Sequence, residues 1–430
     1  MRDVIIVLLV GIGSIAALRK PWIGIMVWTW LSIMNPHRYS WGFAFDAPLA
    51  AISAASTLVG FAITRERASP IKGGAVKMLV LFIVIITISW LGGLGVEEDY
   101  PQWNKVMKVF FMTIIGLSLL HSKQHILALI WVAVVSLALL GAKGGVFTLA
   151  TGGNYKVWGP PGSFIEDNNE FALALVMTIP LLRFLQMQLA ARWQRYMLTS
   201  AMVLCAIAAI GSHSRGALLA ISAMGVMLWW RGKSRFVGGI IMVVVAVLLV
   251  GFMPDEWTTR MATIEHYEED RSALGRISAW WNAWNLAFRY PLGVGFNAAR
   301  PELFARFSPY PDFVHAAHSI YFQVLGNHGF PGLIVFLLIF VLTWNSARWL
   351  RVNAATIPQA KWASELGGMS QVALAGFAVG GAFLSLAYFD LPYVIMTVVV
   401  LTRKWVETRA WEREPVYRRS WHTIPGLVTT

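Results

Sequence analysis

The sequence predicts an all-α polytopic membrane protein with about 12 transmembrane helices and one large, partly helical loop on the outer face. Three observations predict it. Of the 430 residues, 57% are hydrophobic and only 13% charged, where a soluble domain carries about 25% charged residues. Mean hydropathy is +0.60, and long apolar runs follow one another from end to end. Lys and Arg concentrate in alternate connections rather than evenly. This composition excludes an ordinary cytosolic enzyme, a disordered chain and a nucleic-acid-binding domain. A single cysteine, Cys205 in an apolar run, excludes a disulfide scaffold and a Cys-rich metal site.

Spans are expected near 4–18, 21–34, 48–64, 76–94, 106–120, 125–141, 170–187, 197–211, 217–230, 236–253, 330–347, 366–387 and 391–402. Each must be helical, because lipid satisfies no backbone hydrogen bond. Several fall short of the roughly 20 residues that a straight crossing needs. Pro21 and the Arg19-Lys20 pair split the first run, which reads as one long kinked helix or as a hairpin. The count is therefore 12 or 13, and the side of the N-terminus follows from it. The first run leads into Arg-Lys-Pro rather than a small-residue cleavage site, so no cleavable signal is expected.

The basic connections fix the orientation. Arg19-Lys20, the 65–77 loop, Lys123, the 183–195 stretch, Arg231 to Arg235, the 346–363 loop and the tail from Arg403 are read as cytoplasmic. They hold about 22 basic and about 5 acidic residues, against about 12 and about 16 on the other face. Positive-inside topology thus absorbs the net charge of 35 − 22 = +13. The resulting division is 1–253 for the N-terminal spans, 254–329 for the outer loop, 330–402 for the C-terminal spans and 403–430 for a cytoplasmic tail.

The outer loop breaks the pattern. It runs for about 76 residues with Glu, Asp, Arg, His, Trp and Tyr in irregular order, and a connection of that length usually carries function. Its Ser278-Ala-Trp-Trp-Asn-Ala-Trp-Asn-Leu-Ala-Phe288 stretch has aromatics at helical spacing. Trp favours the membrane interface, and anchoring alone accounts for such residues in most cases.

Ionisable groups at a membrane boundary are expensive and mark candidate sites. In Gly211-Ser-His-Ser-Arg-Gly216, Arg215 opens an inward-running helix that Ser212 or Ser214 can cap. A helix start with a guanidinium suits an anion; the plainer reading is an Arg that snorkels to the interface. Arg276 opens the Trp-rich helix one turn before Trp280, which can stack on it. In the His315-Ala-Ala-His318 segment, a histidine can take a proton near neutral pH. A metal held by His315, His318 and His328 is a minor alternative, because no carboxylate interleaves them. Gly-Ser-His-Ser-Arg-Gly is not a serine-hydrolase elbow. The Gly141-Ala-Lys143-Gly-Gly stretch is read as an irregular outer segment that leads through Trp158-Gly-Pro-Pro-Gly to Asn168, Asn169 and Glu170 at the start of a span. Caps are the usual role of such polar residues; sugar binding is the alternative. Cations that face outward suggest an anionic, lipid-borne ligand. A lipid-linked diphosphate fits better than a nucleotide sugar, since no Gly-rich phosphate loop or Asp-x-Asp pair is present.

The spacing His318-Ser319, nine residues, Gly329, two residues, Gly332 resembles the signature of the O-antigen ligase family, within the O-antigen ligase and polymerase superfamily. The order of spans, the large loop before the last spans and the Arg of Ser-Arg-Gly are similar as well. Pro21-Trp-Ile-Gly, Met34-Asn-Pro-His-Arg38, Lys143-Gly-Gly and Asp167-Asn-Asn-Glu170 resemble the exosortase-associated O-glycosylation ligase subgroup. The resemblance implies a glycosyltransferase of the multi-span C class in the bacterial inner membrane. It would work by inversion on the periplasmic face, without metal, nucleotide or other cofactor. The implied donor is a glycan on undecaprenyl diphosphate, and the implied acceptor a sugar hydroxyl of the lipid A core. His318 would then be the general base, with Arg215, Arg276 and Lys143 on the diphosphate. Asn169, Glu170, His315 and Tyr321 would contact sugar or orient His318. The rivals are an O-antigen polymerase, a protein O-oligosaccharyltransferase and a lipid or anion transporter.

Overall fold

Helices satisfy the backbone almost everywhere in the computed structural model. It describes residues 1–70, 73–232, 271–414 and, between 239 and 255, positions 239, 240, 243, 247, 251 and 253–255. Among the described residues there is no strand. Most of the span expected at 236–253, residues 256–270 of the long loop and the tail beyond 414 lie outside them. The helices are α1 Arg2–Arg19, α2 Pro21–Met34, α3 Leu49–Ile63, α4 Gly74–Leu91, α5 Val96–Leu119, α6 Lys123–Ala150, α7 Asn168–Met187, α8 Arg192–Gly211, α9 Arg215–Arg231, α10 Arg271–Arg289, α11 Pro301–Phe307, α12 Ile320–Asn353, α13 Lys361–Gly380 and α14 Asp390–Glu407. Among the described residues, six segments are long and apolar enough to cross a membrane, namely α4, α6, α7, α8, α12 and the stretch Pro358–Phe383; α2 and α3 are shorter apolar helices.

The split at Lys20-Pro21 makes a hairpin. A Cβ built on Gly13 would meet Val27, and one built on Gly24 would meet Ala17, as two antiparallel helices require. The Asp3 carboxylate then accepts from the Gly42 and Ala44 amides, both at 3.1 Å, so the start of α1 lies beside the segment that leaves α2.

Cross-chain contacts sort the helix ends into two groups. At one end, Leu94 N donates to Val294 O, Lys105 Nζ to Gly162 O and Asn168 Nδ2 to Ser212 O. Asp99, buried in α5, accepts from Phe296 N at 2.7 Å and pairs with Arg300 at 3.1 Å, which fastens the 293–300 segment to the bundle. At the other end, Ala68 N meets Ser118 O, Lys123 N meets Glu414, and Gln188 meets Glu365. The Trp-rich stretch is helical, as α10, and packs on α12.

One expected element is corrected. Gly141-Ala-Lys143-Gly-Gly is not an irregular outer segment but part of α6, which continues to Ala150. Its glycines form a contact seam. A Cβ on Gly141 would lie 2.5 Å from Cys205 Sγ, and one on Gly145 would lie 2.4 Å from the Leu204 carbonyl oxygen. Small residues four apart let two backbones approach in this way. Lys143 therefore sits on a helix, with its ammonium over the Tyr39 ring at 4.5 Å.

The seam yields a matched pair of variants. Gly145→Ala drives a methyl into backbone and lowers stability in detergent by about 1–3 kcal/mol. Gly11→Ala meets nothing within 4 Å and gains about 0.5–1 kcal/mol from helix propensity. Equal thermal midpoints for the two variants would contradict the seam.

Candidate functional site

The site is assembled at the start of α7. Asp167, in extended backbone, accepts from the Asn169 amide at 2.8 Å and from the Asn169 side chain at 2.8 Å, which makes it the helix cap. Burial pushes the Asp167 carboxyl up, but the side-chain interaction with Glu170, the hydrogen bonds donated by Asn169 and the nearby His318 outweigh it, and the net direction is down. The cap is thus fully effective above the ordinary carboxylate range and is lost as the pH falls through the depressed value.

Glu170 follows within the first turn and is only 5% exposed. Its Oε1 accepts from the Ser385 amide at 3.2 Å and stands 3.8 Å from His318 Nδ1. The carboxylate therefore touches two segments more than a hundred residues away in sequence.

His318 is presented by a constrained backbone. Its φ is +40°, in the left-handed region, and Ser319 next to it is the N-cap residue of α12. A non-glycine residue there costs about 1–2 kcal/mol, and such strain collects at functional positions. Trp280 of α10 holds the segment in place. Its indole donates to Ala317 O at 2.7 Å and stacks on Phe322 at 5.1 Å. His315 lies 4.9 Å from His318 between ring centroids. A Cβ on Gly275 would sit 3.1 Å from the His315 ring, so the start of α10 lies over the histidine pair. Burial holds His315 below the usual imidazole range. The charges of His318 and Arg276 push the same way, and the Ala316 carbonyl pulls it back only in part.

Arg215 opens α9, where the Ser214 hydroxyl accepts from Ala217 N at 3.2 Å, so Ser214 rather than Ser212 is the cap. Ser212 instead gives its carbonyl to Asn168 at 2.6 Å, tying this turn to the start of α7. Gly216 packs on Phe383 and Leu384, next to Ser385. The starts of α7, α9, α10 and α12 thus meet around Glu170 and His318. A cavity of about 170 Å³ adjoins them, lined among others by His315, Asn282, Asn297, Gln323 and Ser385.

Other expected residues lie elsewhere or are engaged. Tyr321 donates its hydroxyl to Ala378 O at 2.7 Å. Asn169 serves the Asp167 cap. Lys143 belongs with Tyr39. His328 is fully buried between Tyr388 Oη at 2.6 Å and Ser89 Oγ at 3.1 Å, so both ring nitrogens are committed away from the His315 and His318 pair. Gly329 breaks α12 with φ +65°, and a Cβ there would lie 1.9 Å from Pro291 O. Sequence reading named Asp167 and Asn168 but did not foresee Asp167 as the cap or Asn168 as the tie to Ser212, and it missed Trp280 as a clamp and the Ser385 amide. The Asp-Asn-Asn-Glu run carries a cap signal; the backbone amide has no sequence signal.

These features define a multi-pass helical membrane protein with an imidazole–carboxylate pair near the start of α9, which bears Arg215, and near α10, which bears Arg276. Residues 200–337, which contain Arg215, Arg276, His318 and both motif glycines, match the family model described as O-antigen ligase. This match covers about a third of the chain and supports membership of the O-antigen ligase family. Residues 1–190, which contain Glu170, match a model described as a family of unknown function (DUF5935). No curated protein matches the chain.

Two outcomes follow from this geometry. His318→Gly unfolds at a higher temperature than His318→Ala, by about 1 kcal/mol, because glycine accepts the positive φ; the reverse order would rule out the strained backbone. Because folded His315 resists protonation, stability falls as the pH drops through about 6.5. His315→Gln flattens that acid-side loss in thermal-shift measurements, and an unchanged slope would exclude His315 as its source.

Proposed function

We propose that this member of the O-antigen ligase and polymerase superfamily is a ligase. It transfers a glycan from undecaprenyl diphosphate to a sugar hydroxyl of the lipid A core, at the periplasmic face of the bacterial inner membrane. About 12 spans would carry the outer loop that holds His318. The observation that carries the reading is the buried Glu170 carboxylate at 3.8 Å from His318 Nδ1, at the meeting point of the Arg215 and Arg276 helices.

The step is a single displacement. The acceptor oxygen forms a bond to the anomeric carbon, and the bond from that carbon to the diphosphate oxygen breaks. Attack from the face opposite the leaving group inverts the centre. The acceptor proton passes to His318. Imidazole is too weak to deprotonate a free alcohol fully, so the transfer is late and concerted, contributing about 10²–10⁴-fold. With Nδ1 turned toward Glu170, Nε2 is the atom left to face the acceptor. Glu170 fixes the ring and stabilises the imidazolium as it forms, the role of the carboxylate in a catalytic triad. The diphosphate leaves with the bonding pair, and Arg215 and Arg276 take up its charge in a site screened from water. No enzyme nucleophile is needed.

The test is transfer by purified protein from a defined undecaprenyl-diphosphate glycan to two acceptors, lipid A core and a Ser/Thr peptide. Lipid A core is expected to be glycosylated. Glycosylation of the peptide alone would make the chain a protein O-oligosaccharyltransferase, and extension of a second undecaprenyl-linked glycan would make it a polymerase. His318→Ala inserts stably and loses transfer by about 10²–10⁴-fold; normal transfer would refute the base assignment. Arg215→Ala loses about 10²–10³-fold, more than Arg215→Lys. Chelator leaves the rate unchanged.

A further inference from the structure

A second basic cluster stands at the same end of the bundle, built by the N-terminal part of the chain. Asn35, at φ 47°, stops α2, and Pro36 opens a single 3₁₀ turn, Pro36–Tyr39, that carries His37 and Arg38. α5 sets Lys105 and Lys108 one turn apart on the facing side. The 159–166 segment closes the third side. Lys105 Nζ donates to Gly162 O at 3.1 Å and lies 4.1 Å from the Phe164 ring centroid. The open cleft between them has a volume of about 330 Å³, and its lining includes His37, Arg38, Lys105 and Lys108 but no carboxylate. Neither His318, Arg215 nor Arg276 lines it.

Nearby acids are engaged around the cavity rather than in it. Asp46 is 88% exposed and 3.6 Å from Arg38. Glu166 takes the Gly162 amide at 2.8 Å. Asp390 lies buried and takes the Ser32 hydroxyl at 2.5 Å. Converging cations in a cleft suit an anion with several acceptor oxygens, such as a phosphate. The segment that continues from Arg38 adds an apolar surface. Trp41 is 93% exposed and Phe43 66% exposed, and bare aromatics beside a cationic pocket are the pattern of a lipid interface.

We propose that the Arg38–Lys105–Lys108 pocket binds a phosphate-class anion carried on a lipid, at a site separate from the one that contains His318. The aromatic residues 41 and 43 lie against the apolar part of that lipid, and the cations hold its head. The assignment stands on this geometry alone and does not depend on the transfer reaction.

The experiment uses the full chain in detergent and measures saturable binding by native mass spectrometry. Dioleoyl phosphatidic acid, dioleoyl phosphatidylcholine and inorganic phosphate are the three probes. Phosphatidic acid is expected to bind at one site, phosphatidylcholine not to, and millimolar inorganic phosphate to displace little of it. The double variant Arg38→Gln with Lys108→Gln weakens that binding at least tenfold, and Arg38→Lys with Lys108→Arg restores most of it. His318→Ala leaves it unchanged. Tight binding of inorganic phosphate by itself would overturn the lipid part of the assignment. Wild-type binding by the double variant, or loss of binding on Arg215→Ala, would overturn the site. Should the double variant lose its thermal transition, Lys108→Gln alone, at an exposed position, decides by the same readout.

Discussion

The buried carboxylate of Glu170 is the constraint on which the site depends. It sits in the first turn of α7, takes the Ser385 amide and faces His318. A polar group so far from water costs free energy unless it has such partners. Three separate parts of the chain are thereby held in one place: the start of α7, the turn before α14 and the segment that leads into α12. Asp167 secures the helix end beneath it, and Trp280 secures the histidine segment above it. The left-handed backbone at His318 is what this arrangement has to hold against. The strain is local, while its compensation is spread over α7, α10 and α12.

The two glycines of the His-Ser signature are explained by packing rather than chemistry. Gly329 interrupts α12 where Pro291 approaches too closely for a side chain, and a Cβ on Gly332 would lie 2.4 Å from the Cβ of His328. His328 in turn is fixed by Tyr388 and Ser89. The motif thus encodes a histidine just ahead of a helix start together with the bend that admits the segment around Pro291.

Much of the helical framework was legible because apolar runs in lipid have only one way to satisfy their backbone. The end of α6 was not, because glycine reads as a breaker in a single sequence. At Gly141 and Gly145 it is instead the residue that lets α8 come close. Arg215, Arg276, His315 and His318 were legible as costly polar groups near apolar runs. Glu170 was one of four candidates for contacting sugar or orienting His318, but nothing local singles it out for a contact across 148 positions (318 − 170). Lys143 was grouped with the arginines by charge and by the Lys143-Gly-Gly resemblance, and its place on Tyr39 depends on helix phase that a presumed loop does not have. The Ser385 contact is made by backbone and leaves no trace in residue type.

The most direct measurement is a side-specific cross-link between positions 170 and 318. In a Cys205→Ala background, Glu170→Cys and His318→Cys are combined, and intact spheroplasts are treated with a membrane-impermeant bifunctional thiol reagent of short reach. Linked peptides are then sought by mass spectrometry. The account predicts one abundant linked pair, formed from the outside and absent from either single-cysteine protein. Failure to link, or linkage only after the cytoplasmic side is opened to the reagent, would contradict it.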